Sequence, residues 1–113
     1  MSEETKYEMI FCIVNSGFSE SVMDAAKAAG AKGGTVISGR GTANKEAEKI
    51  FGITIEQEKE VVMIIVPEEI KDGVLTSIYR HAGLNSPSQG IAFSLPVSRA
   101  VGLKELKSNN LYQ

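Results

Sequence analysis

An unbroken apolar run, Val61–Val66, constrains the fold of this sequence more than any other feature. With six residues it is far too short to cross a bilayer, and its β-branched residues favour a buried strand. A second segment, Tyr7–Val14, is mostly apolar at both sets of alternating positions. Because alternate side chains of a strand point to opposite faces of its sheet, both segments require cover on two sides.

Helical spacing and turn residues predict the other elements. Ser19 is a suitable N-cap for a helix that ends near Gly30, and Pro67 precedes a second helix that ends at Gly83. Four strands are predicted, over Tyr7–Val14, Thr35–Ser38, Glu60–Val66 and Gly90–Leu95. This order is that of a ferredoxin-like βαββαβ domain of the α+β class. Right-handed crossovers place both helices on one face of a four-stranded antiparallel sheet, and we expect a single domain over residues 1–113.

This arrangement leaves one face of the sheet without helices. We expect that face to bear part of the set Ile10, Val62 and Ile64. Monomeric proteins rarely expose an apolar patch of this size, so self-association through the uncovered face is the simplest solution. The alternative is that the helices and the C-terminal tail wrap further around the sheet.

Composition argues against several classes of function. The chain has 113 residues, a net charge of −2 and a pI of about 5.4, and its basic residues form no stripe, so no nucleic-acid partner is expected. With one cysteine, Cys12, and one histidine, His81, it has no obvious metal-ligand set and no serine–histidine pair placed by sequence. We therefore predict no catalytic residue and no metal site. The polar N-terminus is unlike a signal peptide, which predicts a cytoplasmic protein.

Two segments are polar and have few residues that can pack. Residues 39–52 are predicted to form an exposed, mobile loop with Gly39 and Gly41 at its base, and residues 104–113 a frayed tail. Glu56, Glu58 and Glu60 alternate along the approach to the third strand. We expect these carboxylates to be solvated rather than catalytic.

Two motifs in the second half of the chain resemble those of PII nitrogen-regulatory proteins. They are Val66-Pro-Glu-Glu-Ile70, followed by a helix, and Phe93-Ser-Leu-Pro-Val-Ser-Arg99. Gly34-Thr-Val36 and Gly39-Arg-Gly41 resemble the end of the second strand of that family, where its long T-loop begins. The resemblance extends over roughly residues 10–101 and implies a homotrimer, with the segment at about 39–52 in the place of the T-loop.

The resemblance also implies a nucleotide site in each cleft between subunits. Thr35 matches the threonine near the adenine of the family, and Gly39, Arg40 and Gly41 match the base of the T-loop. Lys59 matches the lysine at the T-loop return, and Gly90 matches one glycine of the phosphate loop. Arg99 and Lys104 match the basic residues after the fourth strand.

The sequence departs from the family pattern where phosphate is bound. Ile91 stands in the place of the phosphate-loop lysine, and Gly102 in the place of one of the two arginines expected after the fourth strand. The resemblance therefore implies AMP, ADP or ATP as effector, with ATP losing more affinity than the shorter nucleotides. No tyrosine lies between Gly39 and Glu60, so the uridylylation used by some members has no acceptor.

The function implied is that of a signal-transduction regulator and not of an enzyme. Such a protein senses a small effector and controls a membrane transporter or a metabolic enzyme through its exposed loop. The alternative is a trimer of the CutA type, which has a similar fold and responds to divalent metals. The single histidine and the Leu95-Pro-Val-Ser-Arg99 sequence disfavour it.

Overall fold

The computed structural model describes residues 5–42, 49–50, 52, 57–85 and 90–103. It confirms the predicted order of elements. The strands are β1 (Tyr7–Asn15), β2 (Thr35–Gly41), β3 (Gln57–Pro67) and β4 (Gly90–Val97). The helices are α1 (Ser19–Ala28) and α2 (Lys71–His81), and a 3-10 turn at Glu68–Ile70 leads into α2.

The four strands form one antiparallel sheet in the order β2-β3-β1-β4. The two strands with the strongest apolar patterns, β1 and β3, lie in the centre, and Ile10 is paired with Ile64. Both helices lie on the same side of the sheet, and Ser77 Oγ of α2 donates a hydrogen bond to the Ala25 carbonyl of α1 at 2.7 Å. The fold is therefore the predicted ferredoxin-like α+β arrangement.

The hydrophobic core lies between the helices and the sheet face beneath them, called here the covered face. Cys12 and Val62 of this face are 0% exposed, as are Val22 of α1 and Ile78 of α2. Small residues of α1 allow close packing of the helix on the sheet. The apolar residues of the covered face on β1 and β3 are Ile10, Cys12, Val14, Val62, Ile64 and Val66.

The opposite face, called here the open face, is also apolar and has no helix over it. Its edge strand β4 exposes Ile91 by 57% and Leu95 by 49%. Phe93 of β4 stacks on its cross-strand partner Phe11, with ring centroids 5.4 Å apart. The register places the following residues on this face: Met9, Phe11, Ile13, Ile37, Val61, Met63, Ile65, Ile91, Phe93 and Leu95.

The predicted composition of the uncovered face was wrong. Ile10, Val62 and Ile64 are each 0% exposed and lie beneath the helices. Both alternating sets of β1 and β3 are apolar, so the strand pattern gives no reason to choose one face over the other. The prediction that one apolar face remains without helices is confirmed, but the odd-numbered residues of β1 and β3 form it.

Two predicted boundaries also need correction. β2 continues to Gly41 instead of ending at Ser38, because Gly39, Arg40 and Gly41 pair with the start of β3. The N-cap of α1 is Phe18 rather than Ser19, and its own side chain makes no capping hydrogen bond. Lys49 and Ile50 are helical. Most of the remaining segment predicted as a mobile loop, and the tail from residue 104, lie outside the described residues.

Candidate functional site

One end of the sheet gathers several of the predicted site residues in a row. Gly39 of β2 pairs directly with Lys59 of β3, and Lys59 pairs directly with Asn15 of β1. Gly90 begins β4 at the same end, opposite Val14. Direct cross-strand partners have Cα atoms about 4.5–5.5 Å apart, so Gly39, Lys59 and Asn15 are immediate neighbours on the open face.

Lys59 is the cation of this row, and its position is fixed. Its Nζ donates a hydrogen bond to Asn15 Oδ1 at 2.7 Å. Lys59 forms no ion pair with a carboxylate among the described residues, where Lys71 and Asp72 do form one at 3.8 Å. Because an ammonium has three N–H donors, Lys59 keeps donors for an anion after its bond to Asn15.

The two glycines of the row differ in what they do. A Cβ built on Gly39 meets nothing within 4 Å, so the surface beside Lys59 is open to an approaching group. Gly90 has φ +150°, and a Cβ there would overlap the Ile13 carbonyl oxygen and lie 3.0 Å from Val14 Cγ1. Close packing against β1 therefore explains the glycine at position 90 without a ligand.

Arg40 and Thr35 lie away from this row. Arg40 pairs with Glu58 and occupies the face opposite to Gly39, Gly41 and Lys59. Thr35 lies on the open face opposite Met63, about 13 Å from Gly39 at roughly 3.3 Å per residue. Within one chain, therefore, Lys59 and Gly39 are neighbours, and Thr35 lies further along an apolar surface.

Arg99 lies at the other end of the sheet. β4 runs from Gly90 to Val97, a length of about 24 Å at roughly 3.4 Å per residue, and Arg99 follows it as an exposed residue. Arg99 and Lys59 of the same chain therefore do not share a site. Lys104 lies outside the described residues.

Sequence reasoning missed two residues that build this end of the sheet. Asn15, the last residue of β1, holds Lys59 through its side chain and was not among the predicted site residues. Glu60 was expected to be solvated, but its Oε1 accepts hydrogen bonds from the backbone N–H groups of Gly17 and Ser19, both at 3.1 Å. Glu60 thus supplies the cap that the N-terminus of α1 lacks, from more than 40 residues away in sequence.

The environment of Glu60 favours its charged form. A side-chain hydrogen bond with Ser19 is the largest cause of a lowered pKa, the bonds from the backbone N–H groups of Gly17 and Ser19 act in the same direction, and partial burial opposes them. The positive end of the helix dipole also favours a carboxylate at this position.

A groove of about 610 Å³ lies between α2 and β4 and shares only Gly90 with the predicted site. Aromatic and aliphatic side chains dominate its lining, with Thr76 and Arg80 as polar members. The other residues that line the groove are Leu75, Tyr79, Leu84, Ile91 and Ala92.

In the part of the chain that the structure describes, no three histidine, cysteine, aspartate or glutamate side chains are grouped so that they could hold a metal ion. None of the helices in that part of the chain is long and apolar enough to span a membrane.

The strand order and the two helices on one face define a ferredoxin-like α+β domain as the class of this molecule. The model of the nitrogen regulatory protein P-II family matches residues 7–107. The chain therefore belongs to the P-II family. No curated protein matches it significantly.

Solved structures of PII and PII-like proteins have the same fold. PII from Arabidopsis thaliana, solved with bound citrate, is 26% identical, with a TM-score of 0.64 over 84% of this chain and 80% of that protein. A PII-like signalling protein of Thermus thermophilus is 20% identical, with a TM-score of 0.62 over 82% and 88% of the two chains.

A third structure has the lowest identity of the three. The PII-like protein CPII of Thiomonas intermedia, solved with ADP, AMP and bicarbonate, is 18% identical, with a TM-score of 0.60 over 85% and 97% of the two chains. The likeness to the proteins from Thermus and Thiomonas shows the fold alone.

Proposed function

We propose that this P-II family protein is a homotrimeric regulator that binds an adenine nucleotide in clefts between its subunits. The observation that carries the proposal is the position of Lys59, held by Asn15 beside the open surface at Gly39. This is an anion-facing position at the end of β2 where the partner-facing T-loop of the family begins. The bound ADP and AMP of the Thiomonas protein add support for the effector class.

The distribution of cations supports a cleft made by two copies. Lys59 and Arg99 lie at opposite ends of the sheet in one chain, so a ligand that contacts both requires Arg99 from a neighbouring copy. The open face supplies the surface that brings copies together, because Ile91 and Leu95 are about half exposed in a single chain. Burial of this face in a trimer places the ends of adjacent sheets side by side.

The preferred nucleotide is AMP or ADP rather than ATP. Ile91, which is 57% exposed, stands where typical members have a lysine, and Gly102 replaces an arginine. Each missing charge-assisted hydrogen bond costs about 1.5–3 kcal/mol, and a third phosphate adds charge without a fixed donor.

Titration calorimetry tests the proposal. Wild-type protein is titrated with AMP, ADP and ATP, with and without magnesium, and the Lys59→Met variant with the tightest of them. Loss of the lysine should weaken binding by about 10- to 150-fold, equivalent to about 1.5–3 kcal/mol. Lys27→Met is the matched control, because Lys27 is an exposed lysine of α1 remote from this end of β3.

Two results contradict the proposed effector site. One is the absence of binding by any adenine nucleotide to wild-type protein. The other is equal affinity of wild type and Lys59→Met, which would place the nucleotide elsewhere. Magnesium-dependent binding of ATP that is tighter than that of ADP would contradict the preference for shorter nucleotides.

The regulated target proposed is a membrane transporter or a metabolic enzyme, as the family resemblance implies. The proposed regulator acts by binding this target and carries out no catalytic step. A pull-down with purified candidate targets, with and without ADP, tests whether effector binding changes the association. Identical capture of every candidate in both conditions would contradict regulation by the nucleotide.

A further inference from the structure

Three successive residues of β3 are tied to the turn between β1 and α1. The Glu58 carbonyl accepts a hydrogen bond from the Ser16 N–H at 3.0 Å. Lys59 Nζ donates to Asn15 Oδ1 at 2.7 Å, and Glu60 Oε1 accepts from two backbone N–H groups of the turn. These bonds fix the start of β3 relative to residues 15–19 from both faces of the sheet.

The strand alternation separates the charges of this segment. Lys59 points to the open face, whereas Glu58 and Glu60 point to the covered face, where Glu58 lies opposite Arg40 and Glu60 caps α1. The two carboxylates that flank Lys59 in sequence are therefore directed away from its ammonium. The positive charge of Lys59 remains available on the open face.

The residue that holds Lys59 is chemically suited to this purpose. The amide oxygen of Asn15 accepts a hydrogen bond from the ammonium but carries no formal charge. A carboxylate at the same position would hold the lysine equally well and would neutralise it. An amide therefore orients the cation without reducing its attraction for an anion.

We infer that Asn15 is a positioning residue that aims the Lys59 ammonium at the anionic part of the effector. This inference rests on the proposed function, since it assigns a role within the same cleft. Asn15 acts through Lys59 and not by its own contact with the ligand. The Glu60 cap and the hydrogen bond between Ser16 and Glu58 hold the turn that directly follows Asn15.

Calorimetry with ADP on four proteins tests the inference. They are wild type, Asn15→Ala, Lys59→Met and the double variant. Asn15→Ala should weaken ADP binding about 5- to 10-fold, because the freed lysine must be ordered on binding. In the Lys59→Met background the same change should have less than about a twofold effect, because no ammonium remains to be positioned.

The double variant separates positioning from a structural role. Any other contact of Asn15 is lost in both backgrounds, so a structural effect would weaken binding equally in each. Equal factors would overturn the inference, and so would unchanged affinity of Asn15→Ala. Ser21→Ala, an exposed polar residue on α1, is the control and should bind ADP like wild type.

A conservative variant provides a second measurement that does not depend on the stability of Asn15→Ala. Asn15→Asp keeps an oxygen for Lys59 but supplies a neutralising charge. We expect its ADP affinity to fall at least 10-fold at low salt and to depend less on salt concentration than that of wild type. Wild-type affinity with wild-type salt dependence in Asn15→Asp would overturn the inference.

The failure of the inference and the failure of the proposed function give different results. Absence of ADP binding to wild type contradicts both. If wild type binds ADP and Lys59→Met weakens it, the effector site stands, and equal effects of Asn15→Ala in the two backgrounds contradict only the role of Asn15.

Discussion

The two faces of the sheet have similar composition and differ in what covers them. On the covered face, Ile10 and Ile64 are 0% exposed beneath two helices. On the open face, side chains of the same kind form a continuous surface, and Ile91 is 57% exposed. Apolar character by itself therefore does not decide burial within a chain; the connectivity decides which face receives the helices.

The difference between the faces leads us to expect that the open face binds further copies of the chain. A large apolar surface that includes a stacked aromatic pair, Phe11 and Phe93, is costly to leave in water. The covered face determines whether the chain folds, and we expect the open face to determine whether copies assemble. Variants on the two faces should separate these properties.

The largest effect is expected on the covered face. Truncation of a fully buried isoleucine removes transfer free energy and leaves a cavity, so Ile64→Ala should lower the free energy of unfolding by about 2–5 kcal/mol. Tyr79→Ala, at a residue 55% exposed on α2, should change it by less than about 0.5 kcal/mol. Urea denaturation followed by circular dichroism measures both, and equal effects would contradict the assignment of the covered face.

A charge on the open face should affect assembly while the secondary structure is kept. Phe93→Glu places a carboxylate at the stacked pair with Phe11, where burial between copies would leave it unpaired. We expect the assembly to dissociate to monomers with an unchanged circular dichroism spectrum, as measured by sedimentation. Tyr79→Glu is the control on the helix side. Dissociation of Tyr79→Glu but not of Phe93→Glu would show that the interface lies on the helix side and would contradict the prediction.

The reactivity of Cys12 measures how well the core beneath the helices excludes a thiol reagent. Burial raises the pKa of its thiol to about 11, so at pH 8 the thiolate is about a thousandth of the total. Because the residue is also 0% exposed, native protein should react with a thiol reagent far more slowly than urea-unfolded protein. Ile64→Ala should accelerate labelling, because the population of open molecules rises about tenfold for each 1.4 kcal/mol of lost stability. Equal rates in native and unfolded protein would contradict a closed core.

The smallest effect concerns Glu60, the carboxylate of the covered face that caps α1. The pKa of Glu60 lies below the ordinary glutamate value of 4.5, so its stabilising contribution is present above that value and is lost as the pH falls through and below it. Glu60→Gln should therefore unfold at a lower temperature than wild type at pH 7, with the difference shrinking below pH 4.5.

Thermal unfolding from pH 7 to pH 3 measures this difference. A difference that stays constant over the whole range would show that the charge of Glu60 contributes nothing to the cap. Glu68→Gln, at an exposed residue before α2, is the control.

The element order was predictable because each signal is local. Each element is marked by a few consecutive residues: the apolar runs mark β1 and β3, a glycine follows α1, and a proline precedes α2. The choice of face was not predictable from alternation, since Met9, Phe11 and Ile13 are as apolar as Ile10, Cys12 and Val14. The extension of β2 to Gly41 depends on pairing with β3, which no local propensity of Gly39 or Gly41 indicates.

The candidate site was predictable only in part, for a related reason. The resemblance named Lys59 and Gly39, and the register makes them neighbours. It also named Arg40, which lies on the face opposite to Lys59, and Arg99, which lies at the other end of the sheet in the same chain. Asn15 and Glu60 act across more than 40 residues of sequence, and neither polar residue shows this role in the sequence alone.

The molecular mass of the wild-type protein in solution tests the account most directly. We claim that the open face lies between copies and that the effector clefts form where the copies meet. Native mass spectrometry and sedimentation equilibrium should give one species with three times the mass of the 12.1 kDa chain. A stable, folded monomer at micromolar concentration would contradict the claim, because the open face would then be exposed and no cleft between subunits would exist.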